Sequence, residues 1–340
     1  MTLGITDAAA LRRLDSLIWT MVAAVAAMVL AAPAMSGFHI VWPSFAAPML
    51  VSLALVAGAW FYRHLRNDPR LASGLGCTAQ VVVFAAVGAP LSYLAASANL
   101  PLQDHLFDGI DHALGLDWKA LLAFMNETPT LCAVLRLIYL SLTVQMTTAV
   151  LCLAFSGRLV WLRVYTLAFM LAALATIAIS AVLPAAGVWP YYGLSPADSP
   201  HLLPAVSTSW PVFYGLRDGS FRALVAVGSE GIITFPSLHA ALAVILIAAL
   251  WPVAKLRWAI LGLNTVMLVA TPIDGSHYFI DVFVGLAIAV LALMVARAVA
   301  KRAGSRNMHT AMAEVVGPPI VPVDDDAPVA PARAHRVAAE

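Results

Sequence analysis

The chain has 340 residues, of which 62% are hydrophobic and only 11% charged. A soluble domain of this length carries more charge, so the composition is that of an integral membrane protein. The formal net charge of +1 creates no strong overall field, and no nucleic-acid partner is expected.

A membrane-spanning helix needs roughly 20 mainly apolar residues. Eight stretches qualify: 17–36, 44–62, 76–98, 131–155, 159–183, 236–253, 257–273 and 278–300. They predict an all-α, polytopic membrane helical bundle with about eight transmembrane helices. The first stretch also has features of a secretory signal, with Arg12-Arg13 as its basic region and Ala32-Pro33-Ala34 as a cleavage-like site. Its apolar run is long for a signal, which favours a span. Between spans three and four, residues 99–130 carry Asp104, Asp108, Asp111 and Asp117, with leucines interleaved. That pattern predicts a short amphipathic helix at the membrane interface, its aspartates on a solvated face. The aspartate spacing lacks the glycine and the twelve-position pattern of a calcium loop.

Span four holds Arg136 in its outer half, where an unpaired charge is costly. It either serves a ligand or pairs with a loop aspartate. Ser141, Thr143 and Gln145 in the same span are expected to hydrogen-bond between helices. Residues 184–235 form a second large loop, rich in proline, with Trp189, Tyr191, Tyr192, Trp210, Phe213 and Tyr214. Such aromatic residues favour the headgroup level and read as interfacial anchors. The two loops are expected to cap an outward-facing site. His105, His112 and His201 read as surface residues. From residue 303 the chain turns to Ala, Pro and charge, including Asp324-Asp325-Asp326, which predicts a disordered cytoplasmic tail over 303–340. Cys77, Cys132 and Cys152 lie in apolar segments without metal-like spacing and read as small buried hydrophobes.

Basic residues orient the spans. Fifteen of the nineteen Lys and Arg residues fall on one side of the eight-span scheme; the other four are Lys119, Arg136, Arg217 and Arg222. By the positive-inside rule both termini are cytoplasmic. Short loops and an Ala-rich composition point to a bacterial inner membrane, and outward then means periplasmic.

Within that scheme two short motifs reach the same membrane edge. Pro236-Ser237-Leu238-His239 opens span six, and Gly275-Ser276-His277-Tyr278-Phe279-Ile280-Asp281 opens span eight. On a helix, residues four apart share a face, so Asp281 can accept a hydrogen bond from one ring nitrogen of His277. The other nitrogen is then free to attack phosphorus, while His239 protonates the leaving oxygen. Ser237 or Thr234 caps the helix, Pro236 suits its first turn, and the exposed N–H groups there favour an anion. A transferring phosphoryl group also needs positive charge on its oxygens. Arg217, in Gly215-Leu216-Arg217-Asp218-Gly219, is the first candidate, Arg136 the second, and Ser237 completes the candidate phosphate-binding set.

These two motifs resemble the second and third signatures of the type 2 phosphatidic acid phosphatase superfamily. The His-Tyr-x-x-Asp form resembles the branch that contains inositol phosphorylceramide synthase. The first signature, a lysine followed at a distance by Arg-Pro, is absent, and Thr271 stands six residues before His277 where the wider superfamily has arginine. The resemblance implies a six-helix core with no metal and no other cofactor. It also implies His277 as nucleophile through a phosphohistidine, Asp281 as its partner and His239 as acid/base. The expected organisation is then 1–98 with two accessory spans and the third span, 99–302 as the catalytic core, and the tail. The expected substrate is a phospholipid or isoprenoid phosphate, its phosphoryl group passing to water or to an alcohol. A transporter or lipid-binding protein that kept this scaffold without catalysis is the reading from another class.

Overall fold

The computed structural model describes residues 8–199, 207–227 and 231–316, with Leu202 and Pro204, and side chains through Gly304. His201 and the acidic tail run lie outside the described residues. The chain begins with α1 (Ala8–Ser36), α2 (Trp42–His64) and α3 (Pro69–Ala96). Four shorter helices follow: α4 (Asp104–Ala113), α5 (Trp118–Glu127), α6 (Pro129–Leu140) and α7 (Leu142–Phe155). Then come α8 (Leu159–Val182), α9 (Val188–Tyr191), α10 (Trp210–Asp218), α11 (Leu238–Leu250), α12 (Arg257–Asp274) and α13 (Phe279–Val316). A short parallel ladder pairs β1 (His39–Ile40) with β2 (Ala223–Leu224), tying the α1–α2 connection to the second large loop.

Among the described residues five helices, not eight, are long and apolar enough to cross a membrane: α1, α2, α3, α8 and the Phe279–Gly304 part of α13. The α5–α6 pair would make a sixth, but it bends by 112° at Thr128. The expected span 131–155 is split at Ser141 into α6 and α7. The expected span 236–253 is only 13 residues of helix, and α12 runs 18 residues and ends on buried Asp274. Of these, α11 packs inside the bundle, where bilayer thickness does not set its length, whereas α6, α7 and α12 keep an apolar face exposed, with Leu137, Val144 and Trp258 on it. The last helix also continues to Val316, past residue 303, where the tail was expected to start.

The main core is built around α8, whose Leu162, Val164, Leu167, Ala168 and Met170 are almost fully buried. Leu14, Ile18, Val22 and Val25 of α1 belong to the same core. By contrast, α2 leaves Leu50, Leu53 and Trp60 exposed along its length. The expectation that span four hydrogen-bonds to a neighbour holds for Gln145, whose Oε1 accepts from Asn264 Nδ2 of α12 at 2.8 Å. Cys77 and Cys132 are buried, Cys152 is half-buried, and all three are free thiols.

The bundle has two chemically different ends. At one, Asp15 of α1 accepts from Arg163 Nε at 3.1 Å and Nη2 at 3.0 Å, joining α1 to α8. Gln80 of α3 donates to the same carboxylate at 3.5 Å, and Arg63 of α2 lies 3.8 Å away. A bidentate arginine–carboxylate pair has strict geometry, so this cluster fixes four helices relative to one another. The histidine motifs stand at the other end.

Candidate active site

His239 lies in the first turn of α11. Ser237 caps that helix, its Oγ accepting from Ala240 N at 3.3 Å. Pro236 precedes the cap rather than occupying the first turn, and the Phe235–Pro236 peptide is cis. His277 lies two residues before α13, so the His277–Asp281 pair closes across the helix start rather than along a helix face. Its Nδ1 is 3.0 Å from Asp281 Oδ2, which also accepts from Tyr278 N at 3.0 Å. Asp281 is fully buried and His277 nearly so. With Nδ1 carrying the proton toward the carboxylate, Nε2 presents its lone pair; it sits 3.2 Å from Ser237 Oγ.

The backbone brings the two motifs into register. Ser237 N donates to Asp281 O at 3.1 Å, locking the start of α11 onto the first turn of α13. Gly285 makes that approach possible, because a Cβ there would collide with the Ser237 carbonyl and lie 3.0 Å from Ala240 Cβ. At Gly275 a Cβ would strike the His277 ring and come within 2.8 Å of Thr271 O. His239 and His277 both line one cavity of about 290 Å³. Tyr139 of α6 stacks on His239 with ring centres 4.1 Å apart, and its hydroxyl is 3.3 Å from His239 Nδ1. Stacking and hydrogen bond together aim the other nitrogen, Nε2, away from Tyr139. Nothing in the sequence pattern singled out Tyr139, although it stands one turn after Arg136 on the same helix.

Of the aspartates of 99–130 only Asp117, at the start of α5, is exposed as expected; the other three turn toward protein. Asp104 and Asp111 are buried, at 5% and 2% exposure. Asp104 accepts from Ala186 N and Gly187 N, the latter at 2.9 Å, and from Tyr278 Oη at 3.0 Å. Asp111 accepts from Phe279 N at 2.7 Å and Ile280 N at 2.9 Å, which caps α13 from another helix. Burial outweighs these bonds and lifts the Asp111 carboxyl above its usual range. Asp108 is half-buried and takes a short hydrogen bond from the Tyr192 hydroxyl. The second loop grips the same segment: Trp189 N donates to Ser276 Oγ at 3.2 Å, and Val188 N to Ser276 O at 3.1 Å. Trp118 Nε1 donates to Pro272 O at 3.1 Å. The two loops therefore hold the stretch of chain that carries His277. Trp189 is 1% exposed, a core residue rather than an interfacial anchor, while Tyr214 is exposed and His105 and His112 lie on the surface as expected.

Removing the Asp111 carboxylate leaves two half-buried N–H donors at the start of α13 without that partner. Asp111→Ala is expected to lower stability by about 1–3 kcal/mol, and Asp111→Asn by less, because one acceptor oxygen remains. Denaturant unfolding in detergent compares the two variants with wild type; equal stability of Asp111→Ala and wild type contradicts the capping role.

The structure gathers His239, Ser237, His277 and Asp281, and seats the candidate arginines differently. Arg217 donates to Leu100 O at 2.7 Å and lies over the Phe213 ring, and it does not line the cavity of the two histidines. Arg136 is half-buried on α6, within electrostatic reach of Asp274, a buried carboxylate three residues before His277. Among the described residues no group of three or more His, Cys, Asp and Glu side chains is placed to share a metal ion.

A helical membrane protein with two histidines facing one cavity, and a buried carboxylate behind one of them, has the parts of a phosphoryl-transfer site. The family model of the PAP2 superfamily matches residues 106–295, more than half of the chain and all of this constellation, so the chain belongs to the PAP2 superfamily. Membership makes it a phosphatase-type enzyme of a helical membrane fold. No curated protein and no solved structure matches the chain.

Proposed function

We propose that this enzyme takes a phosphoryl group from a lipid phosphoester or pyrophosphate and passes it, through a phosphohistidine on His277, to an acceptor oxygen. The observation that carries the reading is the 3.0 Å bond from Asp281 to His277 Nδ1, which leaves Nε2 as the attacking atom. In the first step Nε2 bonds to phosphorus, the phosphorus–oxygen bond to the leaving group breaks, and His239 gives that oxygen its proton. In the second, His239 takes a proton from the acceptor hydroxyl, whose oxygen bonds to phosphorus while the phosphorus–nitrogen bond breaks and returns its electron pair to Nε2. The Ser237 hydroxyl, 3.2 Å from Nε2, and the first N–H groups of α11 are our candidates for holding phosphoryl oxygens, with Arg136 and Arg217 as the candidate cations.

The His-Tyr-x-x-Asp form supports an alcohol as acceptor, as in a headgroup transferase resembling inositol phosphorylceramide synthase; with water as acceptor the same chemistry is that of a lipid phosphatase. Purified protein in detergent, given labelled phosphatidate, an isoprenyl pyrophosphate and phosphatidylinositol, each with and without diacylglycerol or ceramide, separates the two. Free phosphate without an acceptor means hydrolysis, and a new phospholipid formed only with acceptor means transfer. Background signal from folded wild type on every substrate counts against catalysis and favours a lipid-binding or transport role.

The site faces the periplasm and the termini the cytoplasm in this reading. Support comes from the placement of Arg12, Arg63 and Arg163 around Asp15 at the end opposite the histidines. A cysteine introduced at exposed Ala197 is expected to react with a membrane-impermeant maleimide in intact cells, and one at exposed Asn67 only after lysis. The reverse pattern overturns the orientation.

A further inference from the structure

The cavity that holds His239 and His277 extends well past them. Its walls are Phe84, Gly88 and Ala89 of α3 and Phe169, Ala173 and Ile177 of α8. Phe84 and Phe169 meet across it in edge contact, with ring centres 5.5 Å apart. From Ser92 to Phe84 the wall descends about 12 Å along α3, at 1.5 Å per residue. The wall hydroxyls spend their protons within their own helices: Ser92 Oγ donates to Ala89 O and Thr176 Oγ1 to Ala173 O, each at the normal length. The other polar side chains that line the cavity, the two histidines and Tyr139, belong to the helix ends at the histidine side. Ala85 lines the same cavity and is exposed, so the cavity reaches the outside of the bundle at the middle of a membrane-spanning helix. That opening lies about 16 Å below the end of α3 at Ala96, roughly half the thickness of a bilayer's hydrocarbon core.

A cavity with catalytic imidazoles at one end, apolar walls, and an opening onto lipid tails matches an amphipathic guest. We propose that one long hydrocarbon chain of the phosphorylated substrate enters the bundle past Ala85 and lies between α3 and α8 against Phe84, Gly88 and Phe169, while its phosphate meets His277. The proposal rests on the phosphoryl-transfer reading for the identity of the guest, and it assigns the part of the site that selects for chain length. A free phosphate ester without a chain gains nothing from these walls. An acyl lipid and an isoprenoid lipid offer the same chemistry, and the substrates used in the test tell them apart.

Gly88 is the position to fill. A Cβ there meets the Phe84 ring at 3.7–4.0 Å, an ordinary contact, so a larger side chain grows into the cavity instead of forcing the helices apart. For Gly88→Leu, and for Ala89→Leu as a second variant, kcat/KM is measured on long-chain and dihexanoyl phosphatidate, and on a long polyprenyl pyrophosphate and isopentenyl pyrophosphate. The long-to-short ratio is expected to fall about tenfold or more, the scale on which misplaced methylenes are discriminated. The lipid whose ratio falls identifies the chain the cavity takes. Equal losses on long and short substrates, or no change on either, overturn the proposal. A second arm does not depend on turnover. A phosphatidate with a diazirine near the end of one chain is photolysed with wild type in nanodiscs, and the adducts are mapped by mass spectrometry. Adducts on 84–89 and 169–177, competed by unlabelled long-chain phosphatidate, support the subsite even if no turnover is found, in which case only the catalytic reading fails. Adducts confined to the exposed face of α2, with turnover intact, overturn the subsite and leave the catalytic reading standing.

Discussion

His277→Ala is expected to abolish turnover, by about 10⁴-fold or more, because it removes the side-chain atom placed to take the phosphoryl group. The variant is expected to keep its fold, because the backbone bonds His277 N to Pro272 O and Val188 N to Ser276 O do not involve the imidazole and Asp281 still accepts from Tyr278 N. Loss of activity with unchanged thermal unfolding separates the chemical role from a structural one. Labelled substrate quenched in alkali is expected to leave label on wild type, released by acid, and none on His277→Ala. Residual activity within tenfold of wild type, or acid-stable label, sinks the phosphohistidine. Asp281→Asn gives an intermediate case, because the amide still fits but no longer stabilises the charged imidazole that forms when Nε2 bonds to phosphorus.

The second large effect needs no change to any polar group. Gly285→Ala places a methyl group into the Ser237 carbonyl and against Ala240, so α11 and α13 must part. That crossing sets the position of His239 and Ser237 relative to His277 and Asp281. A misplacement of the order of 1 Å costs a reaction about 10²-fold, so kcat is expected to fall by that factor, with a much smaller change in KM. The strain also lowers stability, and denaturant midpoints measured alongside show how much of the protein remains folded in the assay. A kcat within twofold of wild type means that the two helices yield without moving the site.

The His277–Asp281 pairing and the helical membrane class were legible because each rests on local information. Apolar runs show in any window of twenty residues, and the His277–Asp281 contact joins residues four apart. The number of long spans was not legible in the same way. Hydropathy reads α6–α7, α11 and α12 as it reads α8, since it counts apolar side chains without registering where a helix breaks or stops, as at Ser141. Asp104 and Asp111 were hidden for a related reason. A carboxylate alternating with leucines looks solvated, yet its partners here are backbone N–H groups 82, 83, 168 and 169 residues away in sequence. Tyr139 could be found only once α6 was known to lie beside α11. Arg217 reads as an anion ligand because cations are scarce on that side, and the contact its Nη2 makes with the carbonyl of Leu100 carries no signature in the sequence.

Asp104 has a meaning beyond the bonds it accepts. It is the point where α4, the second large loop and the segment that carries His277 meet, since one carboxylate holds α4, Ala186-Gly187 and Tyr278 together. The parts are therefore not interchangeable modules. Residues 99–130 cannot be transplanted from a relative to retune selectivity unless the matching tyrosine and the loop at 186–187 travel with them. Drift in one of these three segments constrains what the other two can become.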